Sequence, residues 1–587
     1  MALALPLFLS PRFQDQDKSS ISAAAYLQRL PAVDAATLKN EYEAEFVLLL
    51  DGEEKKYYEA LPPPERPEYI ARYWRLRDPD PFTPNNERLE EHLRRRYFAR
   101  QQFSMDRPPY FDDRGEIYLK YGRPRDRYID PGIYMQVSRE LSIFLPDAEL
   151  FGEAIQSASS DTGILARGLQ GRPLRDRQTP GTLLPPGQVM VLENETWSYE
   201  HIQPGLVFNF VRQGKYFRLT SDLMKAVTGG RQRYRILQTT VLYLRRQNVS
   251  RTYVDLARNL EDVGQRMRTQ PGGLQINQLN HEIRVALERK TFDVEETIRK
   301  SPPEAFFRKA EAPELPFSVD LAQFRGEQNR TRIAIGVAVN LGLSEFAMDS
   351  TGNPVAGVNY GYVLSDRDGE RIAGGRQKKE VPGTVSGKAS VLGSASLMEL
   401  HCTPGQYVMA VQAVEANGAR KGMVKLPLLV RDFRGAELML SDLQFCVPVH
   451  GAAPDATGSL APKTVLYPFS TMLKSIPLTV YFEIYNLSTI GLNNEYRIDY
   501  NVTESPSNKN LLRAITKPFR KNDEASITLS ELRTVTQSTS RESLTLDFGK
   551  LRPGAYNLEV TVSALQDSSI VAGTTKSFVL VEREEKR

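Results

Sequence analysis

The first part of the chain alternates between helical spacing and segments that break helices. Between Asp34 and Arg77, apolar side chains recur at steps of three and four, which predicts two or three short helices. The Pro-containing segment that follows disfavours helix, and Thr83 is placed to cap a new helix with Pro84 at its first position. We predict that this helix runs to about Phe103.

After this helix the pattern becomes strand-like. Ile117–Tyr121 predicts a short strand, and the Ser-, Gly- and Pro-rich stretch Gln156–Gln188 predicts a long surface loop or lid. Strands are then predicted at Val189–Leu192, Glu195–Tyr199, Val207–Val211 and Tyr216–Leu219. We therefore predict a mixed α+β domain over residues 34–250.

A second helical tract follows the strands. Tyr253–Lys300 has apolar side chains at helical spacing on both sides of a Pro-Gly-Gly break, and it closes at Ser301-Pro302-Pro303. We predict a helical connector, residues 251–312, between the two halves of the chain.

From Leu315 onward the apolar period becomes two. Short strands with frequent turns predict two antiparallel, Ig-like β-sandwich modules, residues 313–436 and 437–587. The predicted strands are Arg332–Val339, Val358–Leu364, Tyr407–Val414 and Lys425–Val430 in the first module, and Leu478–Tyr485, Tyr496–Val502, Tyr556–Val562 and Ser577–Val581 in the second.

Each module carries a Pro-Gly-x-Tyr sequence before its penultimate strand, at Pro404–Tyr407 and at Pro553–Tyr556. Pro presets a turn, and Gly can take the positive φ that a type II turn requires, so that the Tyr starts a strand. The same placement in both modules predicts a duplication, and the alternative is convergent use of one turn.

Composition narrows the class of protein. A chain of 587 residues, 41% hydrophobic and 25% charged, is long enough for several domains of about 100 to 200 residues. Lys and Arg number 76 against 72 Asp and Glu, which gives no domain-wide field for nucleic acid. There is no run of about 18 apolar residues, so we predict no transmembrane span.

Residues 1–33 form an apolar start and a linker. Met1–Ser10 is apolar, but it has no preceding Lys or Arg and is shorter than the roughly 15 to 30 residues of a secretory signal. It is either the remnant of a signal sequence whose true start lies upstream, or a terminus that is disordered or docked on the core.

Motifs for phosphate, metal or nucleophilic chemistry are mostly missing. Gly383–Ala389 is one residue short of a phosphate-binding loop and lacks the hydroxyl after its Lys, which favours a plain turn. The near neighbours among His and Cys are His401–Cys402 and Cys446–His450, and successive strand residues face opposite sides, which disfavours a shared metal ion. We predict no cofactor, and Cys402 and Cys446 are either buried thiols or one disulfide bridge.

Three segments of the N-terminal half carry a resemblance to a known family. They are Tyr69–Arg88, Arg95–Phe103 and Asp113–Pro124, and the Trp-containing strand Glu195–Tyr199 follows them. In order and spacing they resemble the GWxTD-domain family of bacterial proteins, over Glu45–Asp130 in detail. Proteins of this family also end in β-sandwich modules.

The signature that names the family is here Pro109-Tyr110-Phe111-Asp112-Asp113. Only the final Asp matches, another aromatic residue replaces the Trp, and Pro replaces the Gly, so this resembles a divergent member. Because Pro has a fixed negative φ, the replacement restricts the turn. The resemblance implies an exported or envelope location, in the periplasm or at the outer membrane, and no established catalytic activity.

The candidate functional residues lie in the segments that carry the resemblance. Asp78 is flanked by Arg75 and Arg77, and we expect a charge network that joins it to Asp113 and Arg114. Such a network either fixes a loop or serves acid/base chemistry, and the first interpretation is favoured. The full set is Trp74, Arg77, Asp78, Tyr110, Asp113, Arg114, Gly115, Tyr121, Gly122 and Trp197.

The sequence favours a non-catalytic, envelope-associated binding or scaffold protein with a protein or cell-surface partner. The first alternative is a hydrolase acting on envelope polymers, with a cleft near Asp78, Asp113 and Arg114. Unpaired carboxylates in a deep pocket would favour it, and a closed lattice of paired charges would speak against it. The second alternative is a subunit of a larger membrane-associated complex. Peripheral membrane association stays open, and no nucleic-acid partner is predicted.

Overall fold

The description of the structure rests on a defined set of residues. The computed structural model describes residues 22–132, 134–135, 189–229, 232–256, 258, 276–306, 313–340, 347–348, 354–382, 393–448, 464–466, 468, 471–505 and 527–582. Met1–Ser10, Gln156–Gln188, Gly383–Ala389 and His450 lie outside them. The chain divides into two units, Met1–Arg308 and Lys309–Arg587. The finer division into segments stays a prediction.

The first unit begins with helices, as the spacing of apolar residues predicts. A helical segment between α1 and α2 consists of Ala35–Thr37, the π-helical Leu38–Glu43 and Ala44–Phe46. The other helices of this unit are α1 (Ala23–Arg29), α2 (Gly52–Ala60), α3 (Arg66–Leu76), α4 (Glu87–Gln102), α5 (Asp113–Tyr121), α6 (Gln232–Leu244) and α7 (Ile276–Lys300).

Helix α4 begins later than predicted. Its N-cap is Asn86, whose Oδ1 accepts from the Leu89 N–H at 2.9 Å and whose Nδ2 donates to the Trp74 carbonyl at 2.6 Å. The predicted cap, Thr83, instead bonds within the preceding turn, to the Asp80 carbonyl at 3.0 Å. Asn86 is the N-cap in place of Thr83 because its one amide side chain both caps α4 and bonds to the end of α3.

The predicted strand Ile117–Tyr121 is wrong, because these residues form the second half of helix α5. Asp112 caps this helix by accepting from the Arg114 N–H at 3.0 Å. Glu116 and Lys120 then pair one turn apart at 2.6 Å. A short apolar run fits either period, and the cap and the ion pair favour the helix here.

The strands of the first unit lie where the sequence predicts them, and further short strands accompany them. The strands form two sheets, in the orders β1-β4-β5-β6 and β2-β3-β7, with antiparallel pairing throughout the described registers. They are β1 (Asp126–Asp130), β2 (Tyr134–Met135), β3 (Val189–Val191), β4 (Asn194–Ser198), β5 (Val207–Gln213), β6 (Tyr216–Thr220) and β7 (Val227–Thr228).

Both faces of the β1-β4-β5-β6 sheet are covered. All five residues of β4 are buried. Along β5, Phe208 and Phe210 belong to an aromatic core shared with helices α1 to α5, whereas Val207 and Val211 belong to a second core with α6 and α7. Because successive strand residues point to opposite faces, the sheet is the middle of three layers.

Helix α6 is absent from the sequence-based prediction. Gln238, Thr239 and Thr240 follow one another in its middle and are all buried, so the apolar period is interrupted. The two Thr hydroxyls donate to carbonyls one turn earlier in the same helix, at 2.8 and 3.0 Å, which permits their burial. The predicted tract Tyr253–Lys300 is confirmed over residues 253–256 and over α7.

The second unit consists of strands, as predicted. The first sandwich has sheets β10-β11-β14-β15, with β12 on β11, and β13-β9-β8; the second has β16-β20-β17-β18, with β23 on β20, and β19-β25-β24-β21-β22. The strands are β8 (Phe317–Arg325), β9 (Thr331–Asn340), β10 (Ala347–Met348), β11 (Pro354–Ser365), β12 (Arg371–Pro382), β13 (Gly393–Cys402), β14 (Gly405–Glu415), β15 (Lys421–Val430), β16 (Met439–Leu440), β17 (Gln444–Pro448), β18 (Thr464–Leu466), β19 (Thr471–Leu473), β20 (Leu478–Tyr485), β21 (Glu495–Glu504), β22 (Ile527–Thr534), β23 (Thr539–Leu546), β24 (Gly554–Ala564) and β25 (Val571–Val581).

The two sheets of each pair share one apolar core. All eight predicted strands are confirmed, and the other strands of the described residues, β8, β10, β12, β13, β16, β17, β18, β19, β22 and β23, are additional. Strand β12 was missed because it contains Gly374 and Gly375 and its side chains are mostly exposed. A strand without a buried face has no apolar alternation to reveal it.

The Pro-Gly-x-Tyr sequences do not form the predicted type II turns. Gly405 has a φ of 159°, which is extended backbone, and Gly405 and Gly554 each open a strand. The two Tyr side chains play the same part in both modules. Tyr407 donates its hydroxyl to the Thr403 carbonyl at 3.1 Å, and Tyr556 donates to the Arg552 carbonyl at 2.8 Å.

A polar seam joins the two sandwiches of the second unit. Arg325 donates to Asn486 Oδ1 at 3.1 Å, and Arg332 pairs with the buried Glu483 at 2.9 Å. Lys576 pairs with Asp320 at 2.6 Å, and burial is the main reason why the pKa of Asp320 is raised. The seam therefore consists mainly of charged hydrogen bonds.

Cys402 and Cys446 are both free thiols and both buried, so the disulfide alternative is wrong. Burial raises the pKa of the Cys402 thiol to about 11. His401, next to it, is exposed, as the opposite facing of neighbouring strand residues predicts. Within the described part of the chain, no helix is both long and apolar enough to cross a membrane.

Candidate functional site

The segment Pro109–Asp113 forms a tight turn between α4 and α5. The Tyr110 N–H donates to the Arg107 carbonyl at 2.8 Å, and the Asp112 N–H donates to the Phe103 carbonyl at 2.8 Å. Tyr110 has a φ of 70°, in the left-handed region that non-Gly residues rarely adopt. The guanidinium of Arg100 lies 5.0 Å from the centre of its ring. The turn therefore places Asp112 at the N-cap position of α5.

Two neighbouring carboxylates hold the outer edge of β6. Asp112 Oδ2 accepts from the Phe217 N–H at 3.0 Å, and Asp113 Oδ2 accepts from the Leu219 N–H at 2.8 Å. Asp113 also pairs with Arg218 at 2.9 Å. Strand β6 ends the described sheet, so these N–H groups have no neighbouring strand to bond. The carboxylates replace that strand and dock α5 on the sheet.

An ion lattice continues from Asp112 through the interior. Arg114 bridges Asp112 and Glu195, each at 2.9 Å. The other oxygen of Glu195 accepts from Arg127 Nε and from Trp197 Nε1, both at 2.8 Å. Asp112 and Glu195 are each only 3% exposed. All four of their carboxylate oxygens accept hydrogen bonds, so the lattice is closed.

Aromatic rings enclose the lattice. The Arg114 guanidinium lies 3.7 Å from the ring centre of Phe217, and the Trp197 ring packs on Phe210 at 4.9 Å. Gly115 completes the enclosure, because a Cβ there would lie 2.5 Å from the Phe111 side chain. The rings shield the two carboxylates from most of the solvent, which strengthens the charged hydrogen bonds. We call this group, Asp112, Arg114, Arg127, Glu195 and Trp197, the sheet lattice.

The other predicted residues gather at a second place. Arg77 pairs with Glu54 at 2.7 Å and stacks on the Tyr73 ring at 3.6 Å. The fully buried Trp74 packs against His92, with ring centres 4.6 Å apart. Tyr121 donates its hydroxyl to the Pro302 carbonyl at 2.8 Å.

Gly122 ends α5 at this second place with a φ of 72°. A Cβ there would lie 3.1 Å from the Arg95 guanidinium, so a side chain would be strained by both the φ and the contact. Its carbonyl accepts from the Tyr199 hydroxyl at 2.8 Å. Gly122 therefore ties the end of α5 to the strand segment.

The ion pairs that Asp113 and Arg114 form in the structure differ from the expected link to Asp78. Asp113 pairs with Arg218, and Arg114 pairs with Asp112 and Glu195. The Asp78 carboxylate accepts from the Asp80 N–H at 3.0 Å in the turn after α3. The structure thus divides the predicted residues between the sheet lattice and the place around Arg77 and Tyr121.

A buried carboxylate lies within the helical layer. Glu45 is fully buried and pairs with Arg96 at 3.0 Å. Burial opposes ionisation, but Arg96, His92 and Arg100 together hold the pKa of Glu45 below its ordinary value. Burial lowers the pKa of His92 to about 4, against the pull of Glu45. Glu45 is therefore charged at neutral pH beside a neutral imidazole.

Sequence reasoning missed several members of both places. Glu195 and Arg127 complete the sheet lattice, and Arg88, Arg95 and Glu304 complete the second place. Glu195 had a signal in the sequence, since it is the one charged residue of the predicted strand Glu195–Tyr199. No group of three or more His, Cys, Asp or Glu side chains in the described ranges is arranged to hold a metal ion.

Comparisons with known proteins add little to this geometry. No protein-family model matches the chain, and no curated protein matches it. Among solved structures, the chain is similar to the red sea bream transglutaminase, at 12% identity over 50% of this chain and 34% of that chain, with a TM-score of 0.15. It is also similar to the E. coli alpha-2-macroglobulin, at 9% identity over 45% of this chain and 25% of that chain, with a TM-score of 0.19. The chain thus spans well under half the length of either protein, and likeness at these scores carries no argument.

Proposed function

We propose that this protein is a non-catalytic binding or scaffold protein associated with the cell envelope. The observation that carries the proposal is the closed sheet lattice. Each oxygen of Asp112 and Glu195 accepts a hydrogen bond, and Asp113 is bonded to Arg218 and to the β6 backbone. A general acid or base needs a carboxyl that reaches substrate, and these carboxylates are directed at the protein itself.

The second unit supports the binding role. We take its modules to be Ig-like, because each has a Tyr near the start of its penultimate strand that bonds a carbonyl four residues upstream. The polar seam between the modules supports a fixed arrangement of the strand edges and loops that a partner would meet. The envelope location rests on the GWxTD resemblance alone.

The test is native purification of the tagged full-length chain from the membrane and soluble fractions of its own cells. We expect recovery from the envelope fraction together with a protein or cell-surface component in constant ratio. Recovery of the chain alone from the cytosol would contradict both the location and the binding. A constant ratio to several other proteins would instead establish a subunit of a larger complex.

A second measurement addresses the hydrolase alternative. The purified chain and its Asp113→Asn variant are incubated with labelled envelope polymers, and release of soluble label is followed. We expect no release above background from either chain. Release that Asp113→Asn abolishes without loss of folded protein would establish the hydrolase.

A further inference from the structure

A short segment after α7 runs across the surface of the helical layer without regular structure. We call this segment, Ser301–Phe306, the strap. Its two prolines are exposed, and its other residues are partly buried. It lies against α3, α4 and α5, and it contacts Arg77 and Tyr121 from the predicted set. The strap is therefore a partly buried surface segment, and we call the surface of α3, α4 and α5 that it covers the groove.

The groove holds the main chain of the strap. The Ala305 N–H donates to the Lys120 carbonyl at 2.9 Å, and its carbonyl accepts from Arg95 Nη1 at 3.0 Å. Tyr121 donates to the Pro302 carbonyl at 2.8 Å. Arg95 is fixed independently, because its Nε donates to Glu91 at 2.9 Å. Main-chain bonds of this kind are how proteins bind extended peptides of varied sequence.

One carboxylate anchors the strap in the groove. Glu304 forms an ion pair with Arg88, accepts from the Tyr73 hydroxyl at 3.3 Å and lies 4.0 Å from Arg77 Nε. Arg88 is 2% exposed, and its guanidinium lies 5.3 Å from the Phe306 ring centre. Burial lowers the pKa of Arg88 to about 10. A buried guanidinium requires a counter-charge, so the groove selects a carboxylate at this position.

We infer that the groove between α3, α4 and α5 is a binding site for an extended, carboxylate-bearing peptide segment, and that the strap is its resident occupant. A partner that uses the site displaces Glu304 with its own carboxylate and takes over the main-chain bonds of Ala305. The inference rests on the proposed binding function and gives it a site. It assigns Arg88, Arg95 and Tyr121 to recognition of the carboxylate and the backbone.

The test uses a fluorescent peptide of residues 299–308 and the full-length chain. Glu304→Lys places a like charge beside Arg88 and Arg77 and releases the strap, whereas Glu296→Lys makes the same charge change at an exposed residue of α7 that pairs with Lys300. We expect the Glu304→Lys chain to bind the peptide at least about tenfold more tightly than the wild-type and Glu296→Lys chains. A peptide with Gln at position 304 should bind at least about tenfold more weakly.

Hydrogen exchange at the Ala305 amide reports release of the strap directly. We expect it to be protected in the wild-type chain and exposed in Glu304→Lys, with Trp fluorescence unchanged. If Glu304→Lys fails to fold, Glu304→Gln, which removes the strap's charge from Arg88 and leaves every residue of the groove unchanged, serves in its place. A folded chain with an exposed Ala305 amide that does not bind the peptide would overturn the inference. Equal binding to wild type would do the same, and either result leaves the co-purification test unaffected.

Discussion

Replacement of Glu195 by Gln tests whether the sheet lattice carries the stability of the first unit. Gln has nearly the same shape as Glu, but it removes the charge between Arg114 and Arg127 and turns an amide N–H₂ toward donors. Glu195 is 3% exposed, and the side chains of Arg114 and Arg127 are 14% and 18% exposed. Removal of one partner from a buried ion pair costs about 3 to 5 kcal/mol. Because both Arg side chains reach some solvent, we expect the lower end, about 3 kcal/mol.

The chain offers a selective assay for this change. Its two Trp residues, Trp74 and Trp197, both lie in the first unit and are fully buried, so Trp fluorescence during urea unfolding reports on that unit alone. The matched control is Glu193→Gln, which breaks the exposed pair of Glu193 with Arg212 and should cost about 0.5 kcal/mol or less. If Glu195→Gln costs no more than this control, the lattice does not stabilise the unit and the reasoning fails.

Two further predictions concern the buried imidazole of His92 and the corresponding tyrosines of the two modules, Tyr407 and Tyr556. The folded pKa of His92 is about 4, below its ordinary 6.5, so the unfolded chain takes up the proton first as the pH falls; the unfolding free energy should drop by about 2 kcal/mol between pH 7 and pH 5 through this group. Urea unfolding at both pH values should show that difference in wild type and its loss in His92→Gln, and an equal drop in the variant would exclude His92 as the cause. Tyr556→Phe leaves the Arg552 carbonyl without its donor and should destabilise the second unit by about 1 kcal/mol, and Tyr407→Phe, whose ring is more exposed, by about half as much. Near-ultraviolet circular dichroism during unfolding measures the stability of both variants. A larger loss of stability in Tyr407→Phe than in Tyr556→Phe would contradict the reasoning from burial.

The sequence predicts the secondary structure best where a buried face produces a regular period of apolar residues. Strands β5, β14 and β24 alternate or run as apolar blocks, and all of them were predicted. Helix α6 and strand β12 were missed for opposite reasons. Buried polar residues interrupt the apolar period of α6, where the two Thr hydroxyls bond within their own helix, whereas β12 has almost no buried face. Apolar patterning detects neither case.

The sequence predicted several residues of the candidate site but not which residues they pair with. Asp113 and Arg114 were named, but each pairs with a residue far away in sequence, as in the 105-residue separation between Asp113 and Arg218 and the 81-residue separation between Arg114 and Glu195. A single sequence does not show which charge meets which across such a distance. The helix at Ile117–Tyr121 was misjudged for a local reason, since five residues without their cap fit both periods.

The position of the β1-β4-β5-β6 sheet between two cores bears on how the first unit opens. Phe208 faces one core and Val207 faces the other, so neither core is complete without the strand they share. Local opening normally proceeds through parts that separate at little cost. Here the helical layers on the two sides of the sheet do not open independently, because release of one layer uncovers the sheet on which the other layer packs. The N-terminal helices and the pair α6 and α7 thus form one cooperative unit, although about 155 residues separate the end of α3 from the start of α6 along the chain.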